Sequence, residues 1–339
     1  MSEAEPVKPA NTAAFWIALF WGVLSGWVVI FLPYLVVLAI RTKGLAFLLN
    51  GTPEWIYNGS LLLLMPLLQG FVGALMRGPQ TRSVWSGGGM IVLIWFIDTA
   101  LAAVFMREGI ICLIMAIPLL WPVIAIGYGI GRVVARWKNS RTVSVSLLPL
   151  ALVWVVGETQ GPAPDYHQAI VDTVTVNAPP EYIWRYVIDY PDNPNPPDYW
   201  LWKVGLPAPT HSVAPIQAVG AHRECKFSGD KAFEERIAEL EPNRKLTFVI
   251  TKQPQHPEII GHINVDKGQI ELKANGDGTT TLIATSWYRL HVRPAAYFDL
   301  WAVDVTRHIH FRVLGYMKEL AERDYAAAQA KAKAAEKPA

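Results

Sequence analysis

A chain of 339 residues that is 52% hydrophobic, with 14 tryptophans and a formal net charge of +2, is long enough for two domains and apolar enough that one of them is expected in lipid. Near-neutral charge, with neither a basic stripe nor a recognisable binding motif, excludes nucleic acid as the expected partner. The two cysteines, Cys112 and Cys225, fall in different halves and imply no disulfide framework.

The polar tail 1–12 is followed by five apolar runs, Ala13 to Ile40, Gly59 to Met76, Gly89 to Met106, Ile110 to Gly131 and Val143 to Val156, expected to form an α-helical membrane bundle over 13–157. The first run is too long for the apolar core of a signal peptide, so it is expected to stay. Lys8, Arg77, Arg82, Arg132, Arg136, Lys138 and Arg141 fall on one side of the spans and Arg41, Lys43 and Arg107 on the other. Seven against three puts the N-terminus in the cytoplasm and, with five crossings, the C-terminal half outside it, in the periplasm for a bacterial inner-membrane protein. If the short fifth run lies in the interface instead, that half is cytoplasmic.

Asp98 and Gln69 sit inside spans. An intramembrane carboxylate reads either as a proton or ion site or as packing glue between helices, the second being favoured by the lack of another acid or base within the spans. Gly22 with Gly26, Gly70 with Ala74 and Gly127 with Gly131 suit close helix packing.

All eight histidines lie after residue 160. The Pro/Gly-rich stretch 158–168 reads as a linker to a domain over 169–328. Ile170 to Val176 alternates as a strand, and Tyr182 to Asp189 reads as a short helix. Pro191 to Pro215 holds seven prolines, with Trp200 and Trp202 among them, and reads as a long functional loop. Strands are expected at Ala221 to Phe227, Ala232 to Leu240, Lys245 to Thr251, Lys267 to Ala274 and Thr279 to Val292. A long helix runs from Arg293 to Ala328, opened by Pro294, and 329–339 is expected to be a disordered tail. This order gives an α+β fold, an antiparallel curved sheet around one long helix.

The phrases VTVNAPPEYIWRYVID, VGAHRECKFSGDKAFEERIAELEPNRKLTF and GDGTTTLIATSWYRL, with the closing helix, resemble the START-like (SRPBCC) superfamily of polyketide cyclases, dehydrases and lipid-transport proteins. The resemblance covers Ile170 to Leu320. It implies a helix-grip fold with an apolar cavity between sheet and helix that holds a lipid-, sterol- or polyketide-like molecule, some members being enzymes. It implies nothing about the membrane half.

Alternation selects the inward set. Leu246, Phe248 and Ile250 face one way, as do Ile270 with Leu272, and Ala284, Ser286, Tyr288 and Leu290. Trp287 is then left outside and in need of cover. If Ser228-Gly-Asp230 is a three-residue hairpin loop, Phe227 opposes Lys231, Cys225 opposes Phe233 and Arg223 opposes Glu235. The last two would form an inward ion pair that either fixes the strands or reads a polar end of the ligand. On the helix Ile309, Val313 and Met317 face the sheet together with Thr306 and His310, while Asp304, His308 and Arg312 face away. With Trp184, Trp200, Trp202 and Trp301, these side chains are the candidate cavity lining.

Glu235, His310, Tyr288 and Arg223 are the candidates for any catalytic role, His310 as acid or base and Tyr288 polarising a carbonyl. The plainer expectation makes His310 a core histidine bonded to a backbone carbonyl. No cofactor and no metal is expected, since His308 and His310 diverge by about 200° on a helix.

Three functions are compatible with these features. The first is a membrane-tethered module that binds or transfers a hydrophobic ligand, gated by the Pro/Trp loop. The second is a cyclase- or dehydrase-type enzyme, and the third a structural or sensory subunit of a membrane complex, with a protein partner or as a homo-oligomer.

Overall fold

The computed structural model describes residues 12–42, 59–78, 84–106, 109–137, 149–150, 153–154, 158 and 165–335 except 257, 260 and 261. The chain divides into two compact units, Met1–Pro164 with Val292–Pro294, and Asp165–His291 with Ala295–Ala339.

The first unit is helical. Helix α1 spans Thr12–Thr42, and α2 begins with a π-helical turn at Ser60–Leu64 and continues as Met65–Arg77. Helix α3 spans Val84–Leu101, prolonged by the π-helical turn Ala102–Met106, and α4 spans Ile110–Val134. Among the described residues the stretches Ser60–Arg77, Gly87–Val104 and Ile110–Val134 are long and apolar enough to cross a membrane. Helix α1 carries the first expected span on one continuous helix. Most of the fifth, Val143 to Val156, lies outside the described residues.

Backbones approach closely where the small residues are. A Cβ on Gly70 would run into the Ile124 carbonyl oxygen, one on Gly127 into that of Leu67, and one on Gly131 into that of Phe71, so α2 and α4 pack without side chains between them. Gly22 and Gly26 likewise leave room for the backbone and side chain of Gln69. That amide donates to Asp98 Oδ1 at 2.9 Å, and the indole of Trp27 donates to the same oxygen at 2.9 Å. Asp98 therefore links three helices.

Replacing Gly127 with Leu is expected to cost more than the about 1–3 kcal/mol of an overpacked core, because the obstruction is main chain. Gly129→Leu in the same helix meets open space and is expected to stay within about 0.5 kcal/mol of wild type. Thermal unfolding of the detergent-solubilised chain compares the two.

The second unit is a seven-stranded antiparallel sheet in the order β1-β7-β6-β5-β4-β3-β2. Its strands are β1 (Tyr166–Val176), β2 (Pro209–Val213), β3 (His222–Phe227), β4 (Lys231–Glu241), β5 (Lys245–Lys252), β6 (Ile263–Ala274) and β7 (Thr280–Leu290). Short helices α5 (Pro180–Trp184) and α6 (Trp200–Lys203) lie between β1 and β2, and α7 (Ala295–Ala335) closes the chain. Irregular pairings at Pro209/His211, Glu234/Glu235, Ile237/Glu239 and Val265/Lys267 add twist, as bulges do, and the sheet curves around α7 in a helix-grip arrangement.

Three expectations need correcting, and a fourth, an outer Trp287 in need of cover, is met. The proline-rich segment contains the strand β2, tolerated because β2 is an edge strand with proline at its first position. Helix α5 is a single turn, after which bonds from Tyr186 to Ile183 and Val187 to Trp184 tighten the chain. Helix α7 runs to Ala335, since the alanines and lysines after Ala328 are strong helix formers. Trp287 lies on the outer face and takes its cover from Lys267 on the paired strand, whose Nζ sits 4.1 Å from the ring centroid.

Ile237, Leu246, Ile270, Leu272, Leu282 and Ala284 of the sheet pack with Leu314, Tyr316, Met317, Leu320 and Ala321 of α7 and with Ile183, Val187 and Ile188. This apolar core occupies the C-terminal half of the grip.

Candidate functional site

The ladder sets the inward residues in rows across the sheet. One row holds Asp172, Ala284, Ile270 and Leu246, the next Ile170, Ser286, Gly268 and Phe248. Gly268 is required where it stands, because a Cβ there would run into the Phe248 ring. The Arg223 guanidinium lies 4.9 Å from the centroid of that ring. The first hairpin has the expected register, with Phe227 opposite Lys231, Cys225 opposite Phe233 and Arg223 opposite Glu235. Gly229 and Asp230 take positive φ, 72° and 54°, to turn the chain in three residues.

Three polar groupings occupy this otherwise apolar face. Arg223 and Glu235, each 2% exposed, form the inward ion pair, and Arg223 Nε also donates to the Ile188 carbonyl at 2.7 Å. Burial pulls the guanidinium down but Glu235 outweighs it and keeps Arg223 charged, whereas burial raises the Glu235 carboxyl against the pull of Arg223. Cys225 beside them is pushed up to about 12 by burial and the Glu235 charge, so it stands as a thiol without nucleophilic character.

In the second grouping, Tyr288 donates to Asp299 Oδ1 at 2.5 Å, tying β7 to the first turns of α7. Burial and that bond raise the phenol well above its ordinary range. Its proton is committed to Asp299 rather than directed at a ligand carbonyl.

The third grouping centres on His310. Its Nδ1 lies 2.8 Å from Asp172 Oδ2 and its Nε2 lies 2.8 Å from Ser286 Oγ. A carboxylate only accepts, so Nδ1 carries the proton and Nε2 accepts from the serine hydroxyl. Asp172 is further held by Arg307, whose Nε is 3.4 Å from Oδ1. The expected bond to a backbone carbonyl is replaced by two side-chain bonds. Burial pushes His310 below its ordinary value of 6.5, against the opposing pull of Asp172.

Asp172 escaped the sequence reading, although the signal was present: in IVDTVTV an aspartate occupies the alternation of Ile170, Val174 and Val176. Ser286 was read as inward, but nothing in the sequence tied it to His310.

Cys225, Phe233, Phe248, Ile250 and Ser286 on the sheet are only half-buried, as are Thr306, Ile309 and Val313 on the opposing face of α7. Trp301 is half-buried too. By contrast Leu272 and Met317 are sealed in the core and Phe227 is buried with its ring centroid 5.3 Å from that of Phe233, while Phe248, Val313 and Trp184 pack against the core edge.

The other predicted tryptophans do not join them. Trp200 is 45% exposed. Trp202 is buried against the Arg312 side of α7, the guanidinium 5.5 Å from its ring centroid. Within the loop 191–215 expected as a gate, the segment 191–209 is strapped along that flank. Tyr199 stacks on His308 and donates to Asp304, Arg312 donates to the Pro209 and Asn195 carbonyls, and Tyr316 donates to that of Asp192. A separate open cleft of about 550 Å³ is lined by Arg185, Tyr186, Asp189 to Asp192 and His211 to Val213, none of them among the inward polar residues.

Glu235→Gln is expected to destabilise the chain by about 3–5 kcal/mol by leaving the buried guanidinium unpaired, and the double replacement Arg223→Met with Glu235→Leu to recover most of that loss. Denaturant unfolding of the three variants reads it. A histidine whose folded pKa is depressed costs stability as acid charges the unfolded chain first, so wild type is expected to lose stability as pH falls below 6.5. His310→Gln is expected to flatten that slope in thermal melts taken across the range.

No protein-family model matches the chain, and no curated protein matches it. Solved structures do. An aromatase/cyclase from Streptomyces sp. R1128 is 17% identical with a TM-score of 0.32, the match covering 47% of this chain and 95% of that one. Truncated norcoclaurine synthase from Thalictrum flavum is 9% identical at 0.30, covering 45% and 94%, and a Nitrosospira multiformis protein is 18% identical at 0.31, covering 45% and 94%. Identities and scores this low carry no activity from those proteins to this one.

Proposed function

We propose that the C-terminal unit binds a hydrophobic small molecule, lipid-, sterol- or polyketide-like, between its sheet and the N-terminal half of α7. The half-buried inward side chains around Phe248, Ile250 and Ile309 carry this reading, because a closed core buries such residues. A mostly apolar lining with a few polar groups is the ordinary form of a small-molecule site. Apolar helices on the same chain tether the grip at a bilayer, which raises the effective concentration of any ligand dissolved there. The positive charges of the inter-helix segments favour an extracytoplasmic grip in a bacterial inner membrane.

Extraction of the gently purified full chain, followed by lipid mass spectrometry, tests the proposal. Wild type is expected to release about one apolar molecule per chain, and Ile309→Trp or Ile250→Trp, which fill the space, about tenfold less, a change of about 1.4 kcal/mol in binding. A wild-type chain that yields nothing apolar defeats it. A catalytic reading has one specific observation in its favour, the alignment of Asp172, His310 and Ser286.

A further inference from the structure

We infer that Ser286 is a nucleophile, activated by His310 and oriented through Asp172, which accepts the acyl group of an ester or thioester whose apolar chain lies in the grip. The inference rests on the proposal that the grip takes an apolar ligand.

The three residues come from β7, α7 and β1, and the two hydrogen bonds run in series at 2.8 Å each. Nucleophile, base and orienting carboxylate within hydrogen-bond reach are what an activated serine requires. Exposure is graded in the useful direction. Asp172 is 7% and His310 6% exposed, whereas Ser286 is half-buried, so the hydroxyl is the accessible end of the series. The charged groups facing the imidazole are Asp172 from β1 and, behind it, Arg307 of α7, while β7 contributes only the Ser286 hydroxyl.

In the step itself Ser286 Oγ bonds to the acyl carbon as its proton passes to His310 Nε2. The bond from that carbon to the leaving oxygen or sulfur then breaks, and the same proton goes to the leaving group. Water repeats the sequence, releasing the acid and returning the proton to Oγ, with no change of oxidation state. Ser286 lies between paired strands, opposite Ile170 and Gly268, so its main-chain N–H belongs to the ladder and the transient oxyanion has to be met by side-chain donors. Thr306, one turn before His310 on the same face of α7 and half-buried, places a hydroxyl on that side.

The test is covalent labelling of the full chain in dodecylmaltoside micelles, stripped of bound lipid, with diisopropyl fluorophosphate and with a decyl fluorophosphonate, read by peptide mass spectrometry. One adduct is expected, on Ser286, absent from Ser286→Ala and formed about 10²–10⁴-fold more slowly in His310→Gln. Labelling of wild type is expected to hold through pH 6.5 and to slow only at more acid pH, because burial keeps the folded imidazole below its ordinary value. Should His310→Gln not fold, Asp172→Asn reads the same step by releasing the imidazole tautomer. If Ser286 stays unlabelled by both reagents in a chain that melts like wild type, the nucleophile is refuted, and lipid recovered from the same preparation would leave the binding proposal standing. Labelled Ser286 in a chain that never yields an apolar molecule would uphold the nucleophile and remove retention.

Discussion

Polar side chains buried on an apolar face must find partners within the protein, and that constraint fixes how α7 lies on the sheet. A buried donor or acceptor left unpaired costs about 1–3 kcal/mol, more when charged. Asp172 on β1 and Ser286 on β7 are both met by His310, and Tyr288 on β7 is met by Asp299 about three turns earlier on the helix. Apolar contacts tolerate sliding by a few tenths of an ångström, whereas these bonds do not. Together they set the rotation of α7 and its position along β7, and the apolar residues from Leu314 to Ala321 then fall into the core.

On the first hairpin, the same rule governs Arg223 and Glu235. The pair brings a net charge of zero into the interior and leaves the remaining donors to the Ile188 carbonyl and the Phe248 face. A pair of this kind contributes little to stability relative to apolar replacements and a good deal to register, since any slip of β3 against β4 would strand a charge. In the first unit Asp98 shows the same principle, its carboxyl group receiving both the Gln69 amide and the Trp27 indole. Glycines make that meeting possible by letting the backbones close to within side-chain reach.

Much of this was legible in the residues alone. Alternation identified the inward set of β4 to β7, and the Ser228-Gly-Asp230 turn was enough to pair Arg223 with Glu235, because a hairpin loop fixes register locally. The orientation of α7 was legible too, from the period of its apolar residues. What could not be read was which inward polar residues meet. Asp172 and His310 are 138 positions apart, and only the order of the sheet, with β1 beside β7, brings them together. Edge strand β2 was hidden by its prolines, and the docking of Tyr199 and Trp202 on the Asp304, His308 and Arg312 flank of α7 could not be read because that flank is polar and faces away from the sheet.

The strap and the graded burial along α7 have a joint consequence. Helix α7 is bonded on its sheet-facing side at Asp299 and His310 and on its outer flank at Asp304, Arg312 and Tyr316. A helix held on both sides over these turns cannot swing away to admit a ligand without breaking several hydrogen bonds at once, each worth about 1 kcal/mol net. On the proposed mode of binding, a ligand would reach the half-buried Phe248, Ile250, Ser286 and Ile309 through side-chain rearrangement at the N-terminal end of the helix. There the inward residues Ala302, Val305 and Thr306 are small or stiff, and none is sealed. The polar bonds that position the helix thereby leave its N-terminal end as the less sealed end of the grip.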